Sequence, residues 1–441
     1  EGNSEDVSRL AKKLKTSTSE NDIQIDSTLG YRIINFIPVF MMLAEILVCK
    51  CGEKVSFSES NKRGLGFKIV VTCKTCGDIS IDSSAIINGN AYDINQRLIF
   101  AMRLIGIGFN GIQKFCAFMC FPKPVFKKVY TNIVHNISIA ADAVKTVSLK
   151  KAADEEKKKS EEKGQTDGLT VSGDGSWRKR GFSSLFGFAS LIGWITGKVV
   201  DILVKSKYCK QCEYWTKKSD TDEYAEWYAS HESNCDCNHT GSAGKMEPDA
   251  VVEMFSRSEA LHNVKYAHYV GDGDSKTHKS LVDAKPYGDF TITHKPAMSM
   301  KVFDAIQKID EDLTRKDLLS RCLGGYTQNA NESLNSIVWS IAPKTISSGK
   351  LIIDIATNVA VITYNDGFTG LLDVMATLGL KIGNEMYNFC TAIDERRVKA
   401  ANHSASKSRK DARKDLTSLR KEADEENVDV EGMLYGPGIA D

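Results

Sequence analysis

Between residues 169 and 345 the sequence predicts an α/β fold, in which helices flank a mixed β-sheet. Three apolar segments with the length of strands come first, and a segment with helical periodicity follows them. A fourth strand, a short helix, a fifth strand and further helices complete the order. The predicted strands span residues 169–173, 183–192, 198–206, 265–271 and 289–293, and the predicted helices span residues 243–262 and 276–284. This order is typical of the RNase H-like fold.

The size and composition of the chain are those of a globular protein with two or three domains. It has 441 residues, of which 42% are apolar and 26% are charged. A net charge of +1 means that any basic surface for nucleic acid must be local. Residues 31–48 are largely apolar, but Arg32, Pro38 and Glu45 interrupt them. We therefore expect a buried helix or hairpin there and no membrane partner.

Shifts in composition divide the chain into seven predicted units. These units are a disordered N-terminus (1–28), a zinc-ribbon-like module (29–90), a helical region (91–149), a charged linker (150–168), an RNase H-like core with a zinc-binding loop at 207–240 (169–345), C-terminal helices (346–400) and a charged disordered tail (401–441).

Eight of the twelve cysteines fall into two groups. The N-terminus is polar and shows no secretory signal, so paired cysteines indicate zinc sites rather than disulfides. In the first group, Cys73 and Cys76 form a CxxC pair, and Cys49 and Cys51 are one residue closer together. Two pairs about twenty residues apart predict a zinc ribbon with four thiolate ligands. The alternative is a set of free buried thiols.

The second group begins with Cys209 and Cys212 after the third predicted strand. His231 and Cys235 would complete a structural zinc site with three cysteines and one histidine, and we prefer this set. The alternative completes the site from Cys235, Cys237 and His239. A closed tetrahedral site leaves no open position for catalysis, so its role would be structural.

Helices are predicted at residues 95–106, 111–120 and 123–147, where glycine and proline mark the breaks. Lys127 and Lys128 lie on the last of them, and a helix-turn-helix unit would present such side chains to DNA. An ordinary helical bundle with a basic surface is equally compatible with this pattern.

Three acidic residues form the candidate catalytic set. Asp174 and Asp272 each follow a predicted strand and stand between glycines, and Glu332 lies at the start of a predicted helix. Converging carboxylates repel one another unless cations lie between them, and oxygen ligands suit Mg²⁺ or Mn²⁺. Two such ions support in-line displacement at phosphorus. Asp274 is an alternative to Asp272 for the second position.

Two other interpretations of these acids remain open. A single aspartate after a strand is most often a turn or helix cap. A calcium loop would fit Asp272 and Asp274, but Lys276 at its fifth position argues against it.

Basic side chains accompany both aspartates. Arg178, Lys179 and Arg180 follow Asp174 on a predicted turn, and Lys276 follows Asp272. We expect these four residues to contact the phosphate backbone of DNA near the site of cleavage.

Several long motifs resemble the Mutator-like transposases that are common in arthropod genomes. The motifs lie at residues 173–181 (GDGSWRKRG), 209–215 (CKQCEYW), 241–247 (GSAGKME), 269–276 (YVGDGDSK) and 327–335 (TQNANESLN). The resemblance covers about residues 29–390. It implies a DDE nuclease with an RNase H-like fold, in which Asp174, Asp272 and Glu332 hold the catalytic metal ions.

The same resemblance implies double-stranded DNA as the partner, both as terminal repeats and as target, together with a homo-oligomer and a nuclear location. One departure stands against full activity. Residues 273–331 are too few for the long helical insertion that members usually carry before the glutamate. The alternative function is therefore that of a domesticated or internally deleted relative that binds DNA without catalysis.

Overall fold

Runs of strands and runs of helices follow one another along the chain. The structure is a computed structural model that describes residues 8–15, 23–87, 89–179, 183–271, 275–288, 293–294, 329–406, 408–409, 415 and 418. The described strands are β1 (Val55–Arg63), β2 (Gly66–Cys73), β3 (Gly77–Asp82), β4 (Ile86–Ile87), β5 (Ala91–Tyr92), β6 (Leu169–Trp177), β7 (Phe186–Gly193), β8 (Val199–Ser206), β9 (Tyr266–Val270) and β10 (Thr293–His294). The described α-helices are α1 (Arg9–Lys15), α2 (Phe36–Ile46), α3 (Asp93–Leu104), α4 (Phe109–Phe118), α5 (Lys127–Glu162), α6 (Lys210–Trp215), α7 (Asp222–His231), α8 (Met246–His262), α9 (Ser275–Ala284), α10 (Asn329–Ile341), α11 (Lys350–Asn365), α12 (Gly370–Thr377) and α13 (Asn384–Ala405).

The larger sheet has five strands in the order β10-β9-β6-β7-β8. Its central strand β6 pairs in parallel with β9 and antiparallel with β7. β8 is antiparallel to β7, and β10 is parallel to β9. The sheet is therefore mixed, which confirms the predicted α/β class. Residues 289–292 of the predicted fifth strand lie outside the described residues.

The two faces of this sheet pack against different helices. Side chains alternate along β7, so Phe188 and Ile192 join one apolar cluster while Ala189 and Leu191 join another. The first cluster includes residues of α3, α4, α5, α10, α11 and α12, and the second includes residues of α8 and α9. Helices thus cover both faces, and β7 and nearly all of β8 are buried.

Helix α5 is 36 residues long and does not end at residue 147, where the sequence predicts its end. The segment predicted as a charged linker, 150–168, is helical as far as Glu162. Ala152 and Ala153 are buried in this part, and Glu156 accepts hydrogen bonds from the backbone N–H groups of Ile195 and Thr196. This buried stripe fixes the helix, and the charged residues occupy its outer side.

Within the segment predicted to be disordered, residues Arg9–Lys15 form α1. α1 packs against α13, and its Ala11 is buried. Lys13 donates a hydrogen bond to the carbonyl of Gly197 and lies over the ring of Tyr364. These contacts are remote in sequence, so composition could not reveal them. Most of the predicted tail, 401–441, lies outside the described residues.

A small antiparallel sheet of β1, β2 and β3 precedes the helical region. Every residue of β3 is exposed, and α2 beside the sheet has no buried residue. The helix predicted to be buried at residues 31–48 is therefore only half-buried on one side, where Phe36 and Phe40 pack against Phe67 and Phe57 of the sheet. Among the residues that the structure describes, no helix is long and apolar enough to span a membrane.

Candidate catalytic face and cysteine clusters

The sequence predicts that Asp174 follows the end of a strand. In the structure it lies inside β6. β6 continues to Trp177 because β7 pairs with it throughout, and Asp174 stands opposite Ser190. On the other edge of β6, the described pairing with β9 ends at Ser172 and Val270. Asp174 therefore follows the last described pair of the parallel ladder.

A ladder of three side-chain hydrogen bonds joins α10 to β6. Its donors are four residues apart on the helix, which is about 6 Å along the axis. Its acceptors are two residues apart on the strand, which is about 6.6 Å. Because these spacings nearly match, one side of the helix follows the polar face of the strand. The pairs are Asn331 to Ser172 (3.1 Å), Asn335 to Asp174 (2.8 Å) and Trp339 to Ser176 (2.8 Å).

The ladder holds the Asp174 carboxylate in one orientation. The amide Nδ2 of Asn335 donates a hydrogen bond to its Oδ2. Ser190 stands beside Asp174 on the same face, and its hydroxyl is fully buried. Within the described part of the chain, that hydroxyl has no hydrogen-bond partner.

Glu332 is exposed in the first turn of α10. It lies three residues before Asn335, so the two side chains are neighbours on the helix surface. Leu334 and Val338 face the apolar core on the other flank. Glu332 is therefore on the solvent side of the ladder. Asp272 and its alternative Asp274 lie outside the described residues.

The basic residues near Asp174 differ in their surroundings. Arg178 donates from its guanidinium to the backbone carbonyls of Ile346 and Ser348, and burial lowers its pKa. It therefore anchors the segment after α10. Lys179 and Lys276 are exposed, and Arg180 lies outside the described residues.

Lys127 and Lys128 begin α5 and are exposed. The ammonium of Lys127 lies 4.7 Å from the ring centre of Phe109 and 4.9 Å from that of Tyr130. These cation–π contacts hold its stem against the helices and leave the residue at the surface.

The first cysteine cluster brings together the four predicted residues. The ligand atoms of Cys49, Cys51, Cys73 and Cys76 all lie within 4.8 Å of one another. The Sγ atoms of Cys51 and Cys73 are 3.5 Å apart, whereas two thiolates on one tetrahedral zinc are about 3.8 Å apart. Backbone N–H groups lower the pKa of Cys73 to about 7, and neighbouring thiols raise that of Cys76 to about 12.

The second cluster consists of Cys209, Cys212, His231 and Cys235, again within 4.8 Å. This is the preferred set, and the alternative ligand His239 is engaged elsewhere, with Nε2 3.1 Å from the Ser242 carbonyl oxygen. Burial and neighbouring thiols raise the pKa of Cys212 to about 12. In both clusters the donors are too close to be charged together without a cation, and sulfur and imidazole donors suit zinc.

The sequence did not identify the roles of Asn331, Asn335 and Trp339. A signal was present, since polar or amphipathic residues recur every four positions beside the apolar stripe of Leu334 and Val338. Their partners on β6 are more than 150 residues away in the chain, so only the fold identifies them.

Comparison with protein families decides the relationship. The Mutator-like transposase family model matches residues 30–329. The chain belongs to the Mutator-like transposase family. Neither a curated protein nor a solved structure matches it. The match covers most of this Mutator-like transposase and ends at the first residue of α10. Membership implies a nuclease and strand-transfer activity in general terms, and DNA as the partner.

Proposed function

We propose that this chain cleaves and joins DNA strands at a divalent metal centre formed by Asp174, Asp272 and Glu332, in an RNase H-like core. The parallel register of β6 and β9 carries the proposal. Val270 pairs with Ser172, and each aspartate follows its paired residue by two positions. Because both acids occupy matching positions beyond the last described pair of the parallel ladder, we expect them to serve the same edge of the sheet.

Glu332 completes the set because α10 lies along β6. The ladder bond from Asn335 to Asp174 brings the first turn of this helix to the acidic strand, with Glu332 on its exposed side. Three carboxylates offer the oxygen donors that Mg²⁺ or Mn²⁺ prefers. When bound, two such ions would activate the attacking oxygen and stabilise the leaving oxygen.

The residues of the chain would position the reacting groups. Asn335 donates a hydrogen bond to the Asp174 carboxylate and so would hold it in place. Lys179 and Lys276, both exposed, would contact backbone phosphates of terminal-repeat and target DNA. We further propose that the two cysteine clusters bind zinc, that the protein acts as a homo-oligomer, and that it works in the nucleus.

The deciding experiment compares Asp174→Asn with Asp167→Asn in the conversion of supercoiled plasmid DNA to nicked circles in Mn²⁺. Asp167 lies just before β6 and pairs with His268, so it is a surface control near the opposite end of the strand. We expect Asp174→Asn to lower the rate by roughly 1000-fold or more and Asp167→Asn to leave it unchanged.

Equal nicking by Asp174→Asn and the wild type would contradict the proposal. A wild-type protein that binds DNA but never nicks it would favour the alternative, a DNA-binding relative without catalysis. The short segment between Asp272 and Glu332 is the observation that keeps this alternative in the experiment.

A further inference from the structure

The N-terminal module has an apolar surface that stays exposed in the part of the chain that the structure describes. The inner side of α2 packs on the small sheet through Phe36 and Phe40. Its outer side carries isoleucine and methionine side chains that are 59–71% exposed. These outer residues are Ile37, Met41, Met42 and Ile46. A helix that is apolar on all sides is normally buried on all sides, so the outer side of α2 indicates a partner.

Strand β3 continues this apolar surface beside the helix. The register places Phe57 opposite Val71 and Val71 opposite Ile79, so these three side chains share one face of the sheet. Because Phe57 contacts Phe40, this is the face on which α2 lies. Ile81 follows Ile79 by two positions and therefore points to the same side. Ile79 is 63% exposed and Ile81 is 52% exposed, which shows that α2 leaves β3 uncovered.

The shape of this surface is complementary to itself. α2 projects from the sheet where it contacts Phe57 of β1 and Phe67 of β2, and β3 forms a lower apolar step beside it. The step is one helix deep, because α2 itself forms its wall. A two-fold rotation would therefore place the α2 of each copy on the β3 of the other. Such a pairing uses the same surface on both copies, as two-fold dimers do.

The charge of the surface argues against DNA and against a membrane as its partner. α2 and β3 contain no lysine or arginine, and their charged residues are Glu45, Asp78 and Asp82. Binding to the phosphates of DNA requires cationic side chains. Helices that lie on a membrane surface also carry lysine and arginine along their polar side. An apolar protein surface is the partner that fits, and a second copy of this chain supplies one.

The exposed area is of the size that a stable dimer needs. Ile33 and Val48, in the segments that flank α2, are exposed as well. Together with the four outer residues of α2 and the two isoleucines of β3, they present roughly 600 Å² of apolar surface. Two copies would thus bury about 1,200 Å² in total, which reaches the range of specific protein interfaces. The flexible methionines can adapt to such a contact.

We propose that this surface joins two copies of the chain, with the α2 of each copy packed on the β3 of the other. The inference rests on the homo-oligomer of the proposed function and names the surface that forms it. It does not depend on the metal centre at Asp174. Glu45 lies in the last turn of α2, so its carboxylate would remain at the edge of the interface, in contact with water.

Sedimentation velocity of the full-length, zinc-loaded protein tests this inference without DNA. High salt in the buffer screens charge-driven association and leaves apolar contacts in place. The variant Met41→Lys is compared with the control Ile139→Lys, since Ile139 is an apolar residue of α5 that is 57% exposed. We expect the wild type and Ile139→Lys to dimerise at micromolar concentrations. Met41→Lys should raise the Kd of the dimer at least about 30-fold.

Ile81→Asp is a second variant that tests the other half of the contact. Alone it should dissociate the dimer as Met41→Lys does, because each variant buries an unpaired charge in an apolar interface. An equal mixture of the two variants should dimerise again. In the mixed dimer, one contact pairs lysine with aspartate and the symmetry-related contact is native. Thermal unfolding shows whether each variant is folded, and Ile81→Asp alone decides whether the surface is correct should Met41→Lys fail to fold.

Three outcomes would overturn the inference, and they can be told apart. If the wild type is a dimer and both variants dimerise with the same Kd, the surface is wrong and the proposed homo-oligomer stands. If the wild type is a monomer, the homo-oligomer is wrong as well. If each variant is monomeric and their mixture stays monomeric, the packing of α2 on β3 is wrong. The nicking assay of Asp174→Asn tests the metal centre independently of all three.

Discussion

The two cysteine clusters have the same chemistry but different structural support. The first joins the ends of an exposed three-stranded sheet, and its Cys51 and Cys76 are exposed. In the second, Cys209 and His231 are buried and the loop is attached to β8. A small module with little apolar core depends on its metal for folding. The difference predicts that zinc, when bound, would determine the fold of the first module and only the local order of the second.

The largest expected effect is the loss of the first module in Cys73→Ser. Cys73 is the last residue of β2, and its Sγ contacts two other residues of the cluster. These contacts are with the Sγ of Cys51 and with the backbone N–H of Cys76. Without this ligand the remaining apolar contacts are too few to keep the strands paired. In a hydrogen-exchange experiment, the β2 amides should exchange at rates close to those of an unfolded chain. The β7 amides should remain protected.

Cys120→Ser is the control, because Cys120 is exposed and outside both clusters. Protected β2 amides in Cys73→Ser would show that the sheet is stable without a complete metal site, and the contrast between the modules would disappear.

A smaller effect is expected for Cys212→Ser in the second module. The rings of Trp215, Trp227 and His231 stack on one another, with centroids 5.1 Å and 4.5 Å apart. Loss of the ligand should loosen this stack and shift tryptophan emission to longer wavelength. The main thermal transition should move by less than about 4 °C, because the core sheet does not depend on the loop. Loss of hydrogen-exchange protection in β8 would refute this view.

The smallest effect is expected for Asn238→Ala, which cuts the link between the second module and the sheet. The side chain of Asn238 accepts from the Ser206 backbone N–H at 2.7 Å and donates to the Val204 carbonyl at 2.9 Å. Removing these bonds should cost about 1–3 kcal/mol in denaturant unfolding followed by tryptophan fluorescence. Asn234→Ala is the matched control, since Asn234 is exposed and its amide bonds only to Ser233. Equal stability of the two variants would mean that the module is held by its metal alone.

The sequence predicts best those features whose partners are close in the chain. The four ligands of each cluster could be selected by spacing, including His231 over His239, and the order of strands and helices followed from periodicity. The sequence-based predictions failed where contacts between residues far apart in the chain determine the structure. Glu156 belongs to a charged run in sequence, yet its partners are Ile195 and Thr196.

The candidate catalytic face shows the same division. Asp174 could be selected from its glycine-flanked position, but its place inside β6 depends on β7, which continues the pairing past it. The contact of Asn335 with this strand requires the complete sheet with α10 in place. No local pattern contains that information.

The 36-residue length of α5 has a mechanical consequence. The helix extends about 54 Å in all, and about 38 Å separates the exposed Lys127 in its first turn from the buried Ala152 beside the sheet. Residues of both halves belong to apolar clusters. No hinge separates Lys127 from Ala152. DNA held at the first end would therefore reach Asp174 at a separation set by a rigid rod. One added residue in α5 would rotate the two ends by about 100° relative to each other, so under the proposed function the length of this helix would set where a bound strand meets Asp174.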